Sequence, residues 1–304
     1  MTRLHARRGW VLAELLVSMA VGLVVSLFGA SLLVASNASY LAQDDIATVE
    51  DAGRFALEAL GRAVRQGSYV DWDQFVDDAS TAPAPVAGLD ARWLSGATPA
   101  LGDPREGAIN GSDVLALRFA ASADGSVLNC AGFPVTDDVR GWSIFYVARG
   151  ADGTAELRCK YRGPNAWRAE AIVRGVDTMQ VLYGVDTDSP ADGRPNSYES
   201  ASAINARDAA LVLAGADQAA RARDFNRKTN WKRVCAIRVS LLLHGARPAQ
   251  AGSAAAAYNL FGTGYDGGDA DPGTVIDPSA WPREVRNRER RMFAATFLLR
   301  NRPV

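Results

Sequence analysis

The chain has 304 residues, 48% of them hydrophobic and 22% charged, a composition that excludes a disordered polymer and suits one folded domain with an appendage. Its 33 basic and 34 acidic residues balance to a formal charge of -1, so no global field draws it to nucleic acid or to an anionic surface. Three cysteines without a CxxC pair, and two histidines (His5 and His244), exclude a zinc ribbon, a thioredoxin-type motif and a multi-histidine metal centre.

In chain order, the first feature is a short basic segment, residues 1–9, carrying Arg3, Arg7 and Arg8 and no acid. From Leu15 to Ala35 the chain is then free of charge, a length that matches the roughly 20 residues a helix needs to cross the bilayer core. The positive-inside rule holds the N-terminus in the cytoplasm and sends the bulk of the chain outward. An ordinary secretory signal ends its apolar run sooner, at a small-x-small site. Ala35-Ser36-Asn37-Ala38-Ser39 offers a weak version of such a site and keeps that alternative open. Glu14 speaks against it, because a carboxylate inside an apolar span costs about 2.5–3.5 kcal/mol on insertion scales and therefore calls for a partner.

Arg7-Arg8-Gly9-Trp10-Val11-Leu12-Ala13-Glu14-Leu15-Leu16 resembles the class III signal of type IV prepilins. The resemblance implies that a prepilin peptidase cuts after Gly9 and N-methylates Trp10. It also implies that Glu14, at the fifth mature position, is the assembly carboxylate that pairs with the N-terminal amine of a neighbouring subunit. Trp10 stands where the family usually has Phe.

No proline precedes Pro83, and Leu41, Ile46, Val49, Gly53, Ala56, Leu57, Leu60 and Val64 recur at helical spacing. One helix is predicted from Trp10 to about Gln66, roughly 85 Å at about 1.5 Å per residue. Residues 10–36 are its transmembrane half, residues 37–67 its amphipathic half, and Gly67 its stop. The Ile46 to Val64 stripe is read as a core face. Residues 68–304 are predicted as a β-rich periplasmic or extracellular domain.

Between Asp77 and Asn110 the proline-rich composition predicts a bridging loop. Strands are predicted at Val114–Ala121, Trp142–Ala148, Glu156–Tyr161, Met179–Val185, Val234–His244 and Met292–Arg300. A helix is predicted between Tyr198 and Arg223, and a low-complexity insert from Gly245 to Pro282. The fold class is therefore α+β, pilin-like, with the long N-terminal helix packed on a mainly antiparallel sheet.

Cys130 and Cys159 each lie on or beside a predicted strand, and export places them in an oxidising compartment, so a disulfide is expected; two buried thiols are the alternative. Cys235 alternates within an apolar strand and reads as core. Two acidic loops, Asp186-Thr187-Asp188 to Asp192 and Asp266 to Asp269 and Asp271, could chelate calcium, but neither fits the EF-hand pattern. A solvated polar loop is the preferred reading of both, and no metal or cofactor is expected. The run Arg283 to Arg291 reads as a solvated strand entrance rather than a DNA contact. Without GxSxG, Walker A, HExxH or a helix-opening GxGxxG, the chain is not expected to be an enzyme.

Glu50-Asp51-Ala52-Gly53-Arg54-Phe55, Gly111-Ser112-Asp113-Val114-Leu115, the block Val173 to Asp186, Trp231 to Val239 and Phe297 to Asn301 together resemble the PilW family of minor pilins. Membership implies a structural subunit that helps initiate a type IV pilus, near its tip. Its partners would be the prepilin peptidase, other minor pilins, the major pilin and the inner membrane. A J-type pseudopilin of type II secretion, or a tip binding module for adhesion or DNA uptake, is the alternative.

Overall fold

A computed structural model describes residues 10–67, 69, 80–122, 124–135, 141–248, 257–265 and 267–299. Gly9 and the basic segment, Asp266 and Arg300 lie outside the described residues. The chain divides into two units, residues 1–47 and 48–304.

A single helix, α1 (Trp10–Gln66), contributes to both units. In the first unit its apolar side chains are solvent-facing, Leu12, Phe28, Leu32 and Leu33 among the most exposed. This stretch is long and apolar enough to cross a membrane. Three hydroxyls in it donate back to their own helix: Ser18 to the Glu14 carbonyl, Ser26 to the Gly22 carbonyl at 2.8 Å and Ser31 to the Phe28 carbonyl at 2.9 Å. That satisfies donors which hydrocarbon would leave orphaned.

In the second unit the rest of α1 turns Val49, Ala56, Leu60, Ala63 and Val64 inward. The helix stops at Gly67, whose N–H donates to the Ala63 and Val64 carbonyls. Two open antiparallel sheets share that core. The first runs in spatial order β1 (Val86–Leu89), β2 (Val114–Phe119), β3 (Gly141–Arg149), β4 (Ala155–Arg162) and β5 (Trp167–Arg174). The second runs β11 (Arg288–Leu298), β8 (Val234–Pro248), β6 (Val176–Val185) and β7 (Ser197–Glu199). The chain crosses between sheets at Gly175, whose φ of 76° a side chain would strain. Helices α2 (Ala201–Ala209) and α3 (Gln218–Lys228) follow β7, a pair where the sequence suggests one helix.

Alternate residues of four strands join the same core as the inward face of α1: Leu115 and Leu117, Phe145 and Val147, Met179, Val181 and Tyr183, Ile237, Val239 and Leu241. Most of their intervening neighbours are buried as well. Val114, Ala116, Ile144 and Tyr146 pack against Leu94 of the segment between β1 and β2, while Leu242 packs against Leu260 and Ile276. Those last two residues belong to the expected low-complexity insert, which forms a small ribbon of β9 (Tyr258–Asn259) and β10 (Val275–Ile276). The expected bridging loop likewise holds β1, paired with β2 from Val86 opposite Leu117 to Leu89 opposite Val114.

Cys130 and Cys159 are joined by a disulfide with their Cα atoms 5.8 Å apart. Cys235 is buried in β8 and its thiol donates to the Gly184 carbonyl at 3.5 Å. The basic run is only partly solvated. Arg290 is 6% exposed and donates from Nε to Asp177 Oδ2 at 2.8 Å, while His244 Nδ1 lies 2.9 Å from Asp177 Oδ1.

Candidate functional site

In the apolar part of α1, from Leu12 to Ala35, Glu14 is the one charged residue. It is exposed, and among the described residues it makes no ion pair. Trp10 opens the helix one turn before it. The exposed surface from Leu12 to Tyr40 is therefore apolar, with one carboxylate near its N-terminal end, and its chemistry is that of a surface awaiting lipid or other helices.

The structure brings Asp186, Asp188 and Asp192 together, a carboxylate oxygen from each lying within 4.8 Å of the others. Their oxygens are largely taken by the loop itself. Asp186 accepts from the N–H groups of Asp188 (3.1 Å) and Gly193 (2.7 Å), and Asp192 from that of Arg194 (2.8 Å). Asp188 accepts from Asn196 Nδ2 at 3.2 Å. Arg233 closes the loop by donating to the carbonyls of Asp186 and Asp188 at 2.8 and 2.9 Å. The acids here fold a turn, as short polar side chains do.

A second triad was not legible as such in the sequence. Asp90, Asp113 and Asp271 also place a carboxylate oxygen each within 4.8 Å of the others, although Asp90 follows β1, Asp113 precedes β2 and Asp271 sits in the insert after β8. Asp90 accepts from the N–H groups of Ala201 and Ser202 at 3.0 and 2.6 Å, at the start of α2 where the helix dipole favours an anion. Asp113 accepts from Ala91 and Val181 at 3.0 and 2.8 Å, tying the first sheet to β6. Asp271 accepts from the Tyr265 hydroxyl at 2.6 Å. Burial, with the Asp90 charge second, holds the Asp113 carboxyl well above the usual carboxylate range. Burial likewise raises Asp271, and burial and the bond to Asp271 push the Tyr265 hydroxyl up. Asp113 stood in the quoted Gly111–Leu115 block and Asp271 in an acidic loop. Only the fold joins them, since sequence spacing carries no sign of a contact between a strand entrance and an insert.

PilW, described as Type IV Pilus-assembly protein W, matches residues 144–301, which take in β4, β5 and all of the second sheet. No curated protein and no solved structure matches the chain. With more than half its length matched, from within β3 to past β11, the chain belongs to the PilW family of type IV pilus-assembly proteins.

Proposed function

We propose that this chain is a minor pilin, a structural subunit that helps initiate a type IV pilus and sits near its tip. The observation that carries the reading is the exposed apolar stretch of α1 with Glu14 as its only charge, in a chain of a pilus-assembly family. In this reading the inner membrane stores the subunit with its N-terminus in the cytoplasm and its sheet domain in the periplasm. A prepilin peptidase removes residues 1–9, and the new Trp10 amine is methylated. Glu14 of one subunit then meets the Trp10 amine of another, major pilin or minor pilin. Lateral contact between the apolar helices replaces contact with lipid, so the carboxylate and amine act as a register mark. Assembly, rather than turnover of a substrate, is the function.

Mass spectrometry of the chain recovered from membranes tests this. The expected N-terminus is Trp10 carrying one additional methyl group. A chain that retains Met1, or one that begins at or beyond Ala38, overturns the proposal.

A further inference from the structure

We propose that Asp90, Asp113 and Asp271 bind one hard divalent cation of the calcium class, clasping the insert to the mouth of the two sheets. The three carboxylates converge from three separate segments, and Asp113 and Asp271 are 1% and 2% exposed. Among the described residues none of the three takes part in an ion pair. Buried carboxylates without an opposite charge are costly, and a divalent ion supplies what is missing.

Independent of the charge count, Asp271 Oδ1 is buried and has no hydrogen-bond partner, while Oδ2 of the same carboxylate takes the Tyr265 hydroxyl. A second orphaned acceptor lies at the same junction. Gln180 is fully buried, and its Oε1 has no partner. Its Nε2 donates to the Gly111 carbonyl at 2.7 Å and borders Gly273, so the amide sits between the stretches that carry Asp113 and Asp271. The junction thus has acceptors in excess and donors in deficit. One cation binds several oxygens at once, and Asp90 and Asp113 keep lone pairs beyond those their N–H partners use.

Coordination chemistry selects the ion. Magnesium demands a near-ideal octahedron and gives up its waters reluctantly, whereas calcium takes six to eight oxygens in a flexible shell. Carboxylates fixed by three separate segments suit the more permissive ion. The Asp186, Asp188 and Asp192 loop lacks this combination: Asp188 and Asp192 are exposed and the oxygens are drawn to backbone N–H groups.

The full-length chain in detergent, stripped with chelator, is titrated with terbium while tyrosine and tryptophan are excited, and bound terbium is competed with calcium or magnesium. Expected are sensitised terbium emission, displacement by calcium at about 10⁻⁴–10⁻³ M or below, the scale of extracellular calcium modules, and weaker displacement by magnesium. Calcium should also raise the unfolding temperature. Asp271→Asn should weaken calcium binding at least about tenfold, since affinity follows ligand charge. Asp188→Asn should leave it unchanged. Should Asp271→Asn not fold, the half-buried Asp90→Asn serves as the second variant, with the same loss expected. Absence of any calcium effect on the wild-type chain overturns the proposal and assigns the triad to shared protons. Binding abolished by Asp188→Asn but kept in Asp271→Asn or Asp90→Asn overturns it in favour of the other loop.

Discussion

Phe293 of β11 lies with its ring against Gly53 of α1, so close that a β-carbon at Gly53 would overlap the ring carbons. Two turns on, Phe297 repeats the contact at Gly61, where a β-carbon would stand 2.7 Å from the ring. Eight helical residues span about 12 Å and four strand residues about 13 Å, so helix and strand run in step across both contacts.

Gly53→Ala should accordingly destabilise the domain although alanine is the better helix former. Propensity favours the change by up to about 1 kcal/mol, while overpacking against an aromatic ring costs about 1–3 kcal/mol. Urea unfolding should show a net loss of about 1–2 kcal/mol. In a Phe293→Leu background the same change should become neutral or favourable, and additive behaviour of the two substitutions would refute the contact.

Replacing Cys130 and Cys159 together by Ser opens a loop of sequence separation 29 and should lower stability by about 3–4 kcal/mol in the loop-entropy account. Reductant should produce the same shift in the wild-type chain and none in the variant. Equal midpoints with and without reductant would sink the expectation.

Arg290 and Asp177 form a buried ion pair. Arg290→Met removes one partner and should cost about 3–5 kcal/mol, because a buried charge loses its counterion. Arg290→Lys should recover only part, since the guanidinium also donates to the carbonyls of Val285, Arg286 and Arg288. Adding Asp177→Asn to Arg290→Met should restore much of the loss. Chemical denaturation of the set checks the order.

Lys160 is fully buried in β4, and its ammonium has Thr98 Oγ1 at 3.2 Å and the Trp167 ring at 5.6 Å. Burial lowers its pKa from 10.5 to about 8. Between those values the unfolded chain holds the proton and the folded chain has released it, so stability should rise with pH across that window. Lys160→Met should be more stable than wild type at pH 7 and should show a flatter profile. Measurements belong below about pH 9.5, because unfolded tyrosines ionise near 10 and act in the opposite sense. A wild-type profile that falls from pH 8 to 9.5 would contradict the assignment.

Glu14→Gln keeps size and polarity but removes the charge. It should leave membrane insertion, removal of residues 1–9 and the disulfide intact, while lowering recovery of the subunit in sheared pili. Unchanged recovery and unchanged piliation would falsify the assembly role given to Glu14.

The α+β class was legible because α1 carries helical periodicity without interruption to Gln66, Val176–Val185 is rich in β-branched residues and Val234–Pro248 opens with a mostly apolar run from Val234 to Leu243. The short strands were not. Val86–Leu89 lies among prolines and is held by pairing with β2, and Trp167–Arg174 is an edge strand of mixed polarity. The insert looked featureless because Leu260 and Ile276 are isolated apolar residues that gain meaning only against Leu242. Arg290 was read as solvated because its partner Asp177 is 113 residues away. The candidate site divides the same way. Gly9, Trp10 and Glu14 form a local pattern within the sequence, whereas Asp90, Asp113 and Asp271 meet only in three dimensions.

The nested rings of Phe293 and Phe297 also set a schedule. Gly53 and Gly61 leave the ribosome early, but the strand that covers them emerges some 230 residues later, near the end of the chain. Until then this face of α1 lacks its aromatic cover and β8 lacks its partner β11. The domain therefore cannot close in step with its own synthesis. A chain arrested or clipped before Arg288 would present bare helix and an open strand edge, the kind of surface that chaperones and proteases recognise.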